Sequence, residues 1–126
     1  MFNYVFFVTG KATQAKVVKD VQVRLVGDSG LNSTGRLEVL YKGVWGTVCK
    51  YNFDKNDADV ICRQLGFPYA ISWDARSYGK GFGKIWLNDV NCNGRETSIA
   101  SCHHNGWGIN KCEHKQDAGL TCYDSM

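Results

Sequence analysis

Six cysteines, Cys49, Cys62, Cys92, Cys102, Cys112 and Cys122, are the residues of this 126-residue chain with the most obvious chemistry. Their number is even, no CxxC pair occurs, and they sit among fourteen glycines and a single proline. That usage predicts a disulfide framework in an oxidising, secreted or extracellular compartment. Six cysteines allow fifteen pairings, and spacing does not choose among them. Cys102 with His104 and Cys112 with His114 form two Cys-x-His pairs. Structural zinc sites usually place two to four residues between cysteines and three to five between histidines, so no metal is expected here.

Other short patterns also fall away. Asp54-Lys55-Asn56-Asp57-Ala58-Asp59 begins like a calcium loop. An EF-hand needs Gly at its sixth position and Glu at its twelfth, where this chain has Asp59 and Leu65, so helix capping is the better account. Gly79-Lys80-Gly81-Phe82-Gly83 lacks the spacing of a phosphate loop, and no helix follows it. There is no GxSxG and no HExxH, and six bridged cysteines leave no thiol nucleophile. The expectation is a chain with no catalytic residues and no cofactor.

The elements that would position these residues read clearly in the middle of the chain. From Gly35 to Phe67 the sequence runs GRLEVLYKGVWGTVCKYNFDKNDADVICRQLGF. Leu37, Val39 and Tyr41 alternate with Glu38, Leu40 and Lys42, Lys42-Gly43 turns the chain, and Val44 to Val48 returns as a second strand. Asp54 then caps a helix with Asp57 three positions on, Ala58, Ile61, Cys62 and Leu65 make its apolar stripe, and Gly66 stops it. Val21 to Val26 alternates as an earlier strand, Lys84 to Val90 and Ala118 to Cys122 as later ones. Pro68 to Gly83 reads as a long irregular segment. Met1 to Asp20 stands apart. Phe2 to Val8 is too short to span a bilayer and lacks a basic leader, so an extra edge strand, a leader or a linker would each fit.

GRLEVLYKGVWGTVC, DADVICRQLGF, IWLNDVNCNGRE and CEHKQDAGLTC, in that order, resemble the scavenger receptor cysteine-rich (SRCR) domain in its six-cysteine form, over about residues 21–123. The resemblance implies an α+β fold, a curved antiparallel sheet cradling one α-helix and stapled by three disulfides. It also implies the pairing Cys49 to Cys112, Cys62 to Cys122 and Cys92 to Cys102. An eight-cysteine form would carry one more bridge, at the positions of Ser33 and Phe67. Residues 1–20 are then an N-terminal extension and residues 124–126 a tail.

The same resemblance implies a non-catalytic extracellular module that binds proteins, bacterial surface polymers or polyanions. The alternatives are an accessory domain of a larger secreted enzyme, of protease or lysyl oxidase type, or a structural adhesion or matrix module. The net charge is +3. Lys50, Arg76, Lys80, Lys84, Arg95, Lys111 and Lys115 fall in or near expected loops, which permits a basic face toward polyanions. LEVLYKGVW resembles a hairpin associated with binding bacteria in mucosal members of the family. The candidate ligand residues are therefore Arg36, Glu38, Leu40, Lys42, Trp45, Arg76, Lys80 and Arg95, with Trp107 a possible contact. Asn32-Ser33-Thr34 is a glycosylation sequon, with Asn32 the acceptor. No nucleic acid and no membrane span are expected. Many relatives hold calcium through two aspartates after the WGTVC cysteine and a later glutamate. Here those positions are Lys50, Tyr51 and Glu96, so calcium is not expected to be required, and Lys50 is expected to pair with Glu96 or Asp89 beneath Tyr51.

Overall fold

The computed structural model describes residues 5–8, 11–14, 21–73 and 78–125. Near the N-terminus, β1 (Val5–Val8) and β2 (Lys11–Gln14) pair antiparallel as a two-stranded sheet of their own. The main sheet has six strands: β3 (Val23–Val26), β4 (Thr34–Tyr41), β5 (Val44–Val48), β6 (Ala70–Ser72), β7 (Ile85–Leu87) and β8 (Gly119–Cys122). Strand β4 is the hub, pairing antiparallel with β3, β5 and β8. The chain reverses between β4 and β5 at Lys42 and Gly43, both at positive φ, as a tight hairpin requires.

The expected sheet needs two corrections, the first because β5 and β7 run parallel. A chain that leaves β5, makes a helix and crosses the domain returns in the same direction, whereas a short turn would have reversed it. A second correction is β6, which lies inside the segment read as irregular and pairs with β8.

The single α-helix among the described residues, α1 (Lys55–Gln64), begins at Asp54, whose side chain accepts from the Asp57 amide while the Asp57 side chain accepts from the Asp54 amide. Gly66, at φ 94°, takes the left-handed position after it. Ala58, Ile61 and Cys62 are fully buried against Leu37 and Val39 of β4, Val48 of β5, Leu87 of β7 and Leu120 of β8. With Leu37 and Val39 turned toward the helix, period-2 geometry sends Arg36, Glu38 and Leu40 to the opposite, outer face. The disulfides join Cys49 to Cys112, Cys62 to Cys122 and Cys92 to Cys102, the pairing implied by the resemblance.

Candidate functional site

The outer face of the sheet carries a row of charge built on strand register. Arg24 stands opposite Glu38 across the β3–β4 ladder, and Trp45 stands opposite Leu40 across β4–β5. Glu38 binds both arginines at once. Its Oε1 accepts from Arg24 Nε at 2.9 Å and Nη2 at 2.6 Å, and its Oε2 from Arg36 Nε at 3.1 Å and Nη2 at 3.0 Å. The Arg24 guanidinium also lies 4.0 Å from the Trp45 ring centroid, a cation–π contact. Side-chain exposure is 10% for Glu38, 14% for Arg36 and 46% for Arg24, so the carboxylate and one guanidinium are largely withdrawn from water. Charge-assisted forks of this kind fix geometry as well as adding energy.

Beside this row lies a cavity of about 510 Å³ whose wall includes Val26, Asp28, Arg36, Tyr78 and Lys80. Its loop wall is held down firmly. Gly81 donates its amide to Asp117 Oδ2 at 2.7 Å and lies so close that a Cβ there would sit 2.9 Å from Thr47 Cγ2. Tyr78 bonds Thr121 and Ser72 through its hydroxyl. His114 lies with its Nδ1 2.9 Å from Asp117 Oδ2 and its Nε2 2.9 Å from the Gly83 carbonyl. Burial would lower the His114 pKa, but the Gly83 carbonyl and the Asp117 carboxylate outweigh it and the nearby Arg36, and hold it above the ordinary imidazole value.

Of the candidate ligand residues, the structure brings Arg36, Glu38, Leu40 and Trp45 onto one face and Lys80 to its edge. Two stand elsewhere. Lys42 occupies the hairpin turn with its ammonium 5.5 Å from the Tyr41 ring centroid, and Arg95 lies on an exposed turn beside the helix, where Gly94 meets Asn56. Arg76 lies outside the described residues. Trp107 is no free contact, because its ring stacks on Tyr41 at 4.0 Å. Arg24, Asp28 and Asp117 were missed by sequence reasoning, and His114 was weighed there as a zinc candidate and not as a partner of Asp117. An arginine and a glutamate at facing places in neighbouring alternating strands was the available signal for Arg24.

At the other charged corner the carboxylates serve the backbone. Buried Asp57 accepts from the Cys92 amide at 2.7 Å and the Asp54 amide at 2.8 Å. Burial pushes its carboxyl up to about 7, against the pull of those two amides and with help from the neighbouring Asp54 carboxylate. Burial would raise the Glu96 carboxyl, but the amides of Asn93 at 2.9 Å and Gly94 at 3.0 Å, from which it accepts, together with those of Glu96 and Arg95, hold it below the ordinary value. The expected Lys50 pair is absent among the described residues. Asn52, turned by a φ of 58°, reaches Asp89 Oδ1 at 2.9 Å in its place. Glu96 is folded onto its own turn, and Tyr51 is exposed instead of covering the corner. The Cys-x-His pairs form no metal cluster, because Cys102 and Cys112 belong to different disulfides. Cys92, Glu96 and Cys102 do converge, but both sulfurs are spent on one bond. Asn32 is exposed, while the Thr34 hydroxyl of its sequon lies 2.7 Å from that of Thr121.

A helix laid on a mostly antiparallel sheet and stapled by three disulfides defines a small cysteine-bridged α+β domain. The chain belongs to the scavenger receptor cysteine-rich domain family, whose model matches residues 27–123. It is 52% identical to lysyl oxidase homolog 2 of Xenopus laevis over 113 residues, 89% of this chain and 15% of that protein. It is 48% identical to lysyl oxidase homolog 2 of Homo sapiens over 108 residues, 85% of this chain and 14% of that protein. Among solved structures, the third SRCR domain of murine neurotrypsin superposes with a TM-score of 0.69 at 38% identity, covering 81% of this chain and 95% of that one. The dimeric form of the SRCR domain of mouse MARCO gives 0.64 at 48% identity, covering 71% and 86%. The chain therefore corresponds to a small part of the curated relatives it matches. No helix among the described residues is long and apolar enough to cross a membrane.

Proposed function

We propose that this chain is an extracellular, non-catalytic binding module serving a longer protein of the lysyl oxidase homologue type, and that it engages its ligand with the outer face of the sheet. The observation that carries the reading is the 52% identity over 113 residues to a segment that makes up only 15% of lysyl oxidase homolog 2. This favours the accessory-domain alternative over a free-standing scavenger module. The ligand face is Arg24, Arg36, Glu38 and Trp45 with the cavity edged by Lys80. A partner protein presenting a carboxylate or sulfate group fits it, since Lys80 makes no ion pair among the described residues and Arg36 stands on the same wall. Calcium plays no part in this reading, because Asp89 and Glu96 are already held by Asn52 and by backbone amides.

The test is a binding screen of the chain against secreted matrix proteins and sulfated polysaccharide at two salt concentrations, with a peroxide-release assay for amine oxidation. Salt-sensitive binding that weakens several-fold in Lys80→Ala, with no amine turnover, is the expected result. Amine turnover by the chain alone, or binding unchanged in Lys80→Ala, would overturn it.

A further inference from the structure

We propose that protonated His114 is a clasp that fastens the loop from Tyr78 to Lys84 onto the sheet, so that proton release loosens the wall carrying Lys80. The inference rests on the reading of that wall as part of the ligand face. The geometry of the ring itself carries it. Nε2 faces the Gly83 carbonyl at 2.9 Å and Nδ1 faces the Asp117 carboxylate at 2.9 Å, and both of these groups only accept. A neutral imidazole carries one N–H and could satisfy one of them; only the imidazolium donates to both. The Thr47 hydroxyl, 3.5 Å from Nδ1, is too far to replace either bond.

The loop has other fastenings, the Tyr78 hydroxyl on Ser72 and Thr121 and the Thr47 amide on the Lys84 carbonyl, and one more that runs through the same carboxylate. Asp117, whose side chain is 1% exposed, takes the Gly81 amide on the Oδ2 that also faces His114. A buried carboxylate facing only neutral donors is less well compensated than one facing a cation, so loss of the His114 proton weakens both links together. The loop that these bonds hold carries Lys80, on the cavity wall, and Phe82, which is 90% exposed. An apolar ring this bare on a loop this firmly fastened is placed for contact with a partner.

The groups that set the proton's affinity come from each side of the ring. Asp117 attracts it; Arg36 of β4 repels it, though Arg36 is itself neutralised by Glu38. On the loop the nearest cations are Lys80 and Lys84. On the turn of His114 itself, Lys115 pairs with Glu113 at 3.1 Å. Because the folded-state value lies above the unfolded one, the clasp is complete below the ordinary imidazole range and is lost as pH rises through the raised value.

Nuclear magnetic resonance on the intact chain tests this without any ligand. At acid pH His114 is expected to show two slowly exchanging ring N–H protons, and to titrate above the ordinary imidazole range and above His104, whose value burial lowers. Protection of the Gly81 amide, corrected for intrinsic exchange, should fall roughly tenfold across that titration, as loss of a charge-assisted bond implies. In His114→Gln it should be low and flat with pH. Titration at or below the ordinary value, or Gly81 protection that ignores it, would overturn the proposal, and the wild-type measurement stands even if the variant does not fold. A heparin octasaccharide as probe gives the second arm. Its affinity should fall several-fold across the same pH interval in the wild type, beyond the change in His114→Gln. No heparin binding at any pH would count against the ligand face while the ring protons decide the clasp.

Discussion

The outer face of the sheet and the corner around Asp57 both gather charge, and they dispose of it in opposite ways. On the outer face the charges answer one another across strands: one carboxylate holds two guanidiniums, and a tryptophan covers one of them. At the corner the carboxylates answer the backbone: Asp57 takes the amides of Asp54 and Cys92, and Glu96 takes those of Asn93 and Gly94. The first arrangement leaves cationic surface that a ligand can compete for. In the second, every named acceptor is spent on fixing loops, which leaves little for a cation. Position in the fold decides the role, since a strand face presents side chains to solvent while a helix start presents unpaired amides.

This contrast can be broken most severely through the bridges that hold the corner and the sheet. Replacing Cys62 and Cys122 by alanine opens a crosslink of sequence separation 60 and should cost about 4 kcal/mol in denaturant unfolding; removing Cys92 and Cys102, at separation 10, should cost about 3. A smaller effect for the longer crosslink would mean that the corner, not the sheet, holds the domain together.

Asp57→Ala comes next. It strands the amides of Asp54 and buried Cys92 and should cost about 2–4 kcal/mol, with Asp57→Asn less damaging because an acceptor oxygen remains. The sign of its pH dependence is also fixed. A carboxyl at about 7 in the folded protein against an ordinary 3.8 keeps a proton that the unfolded chain releases, so stability should fall as pH rises through that window. Asp57→Asn should remove this slope, as midpoints measured at several pH values would show.

Glu38→Gln should cost only about 1–2 kcal/mol, since Arg24 is half exposed and keeps Trp45. It releases two guanidiniums from their counter-charge, so retention on heparin should increase. Earlier elution would show that Glu38 orders the face for binding more than it neutralises it. The smallest effect expected is that of calcium. Titration calorimetry should show no micromolar site, and a chelator should leave ligand binding unchanged; the opposite result would reveal a set of carboxylates outside those described.

The local instructions were legible because they act over a few residues. The hairpin through Lys42 and Gly43, the Asp54–Asp57 capping box and Gly66 after the helix each follow from neighbours in sequence. The bridges were legible only through resemblance, because no local rule chooses among the fifteen pairings. What remained hidden depends on approach between distant segments. Asn52 reaching Asp89 in place of Lys50, and His114 lying between Gly83 and Asp117, are set by how two loops cross. Trp86 breaks the strand pattern expected for Lys84 to Val90, being buried beside Leu87 because Tyr41 packs against it edge-on.

The central position of β4 has a consequence for how the chain can be made. Its partner β8 is the last strand, and β8 carries the cysteine that waits for Cys62. During synthesis, β4, β5 and α1 emerge with Cys49 and Cys62 exposed as thiols, and about sixty residues must follow before either native partner arrives. A hairpin and a short helix are marginal on their own, so the nascent domain is a reactive dithiol without a closed core for that interval. The nearest mistake is a bridge between Cys49 and Cys62. Yield on secretion should accordingly depend on disulfide isomerase capacity more than on the stability of the finished fold.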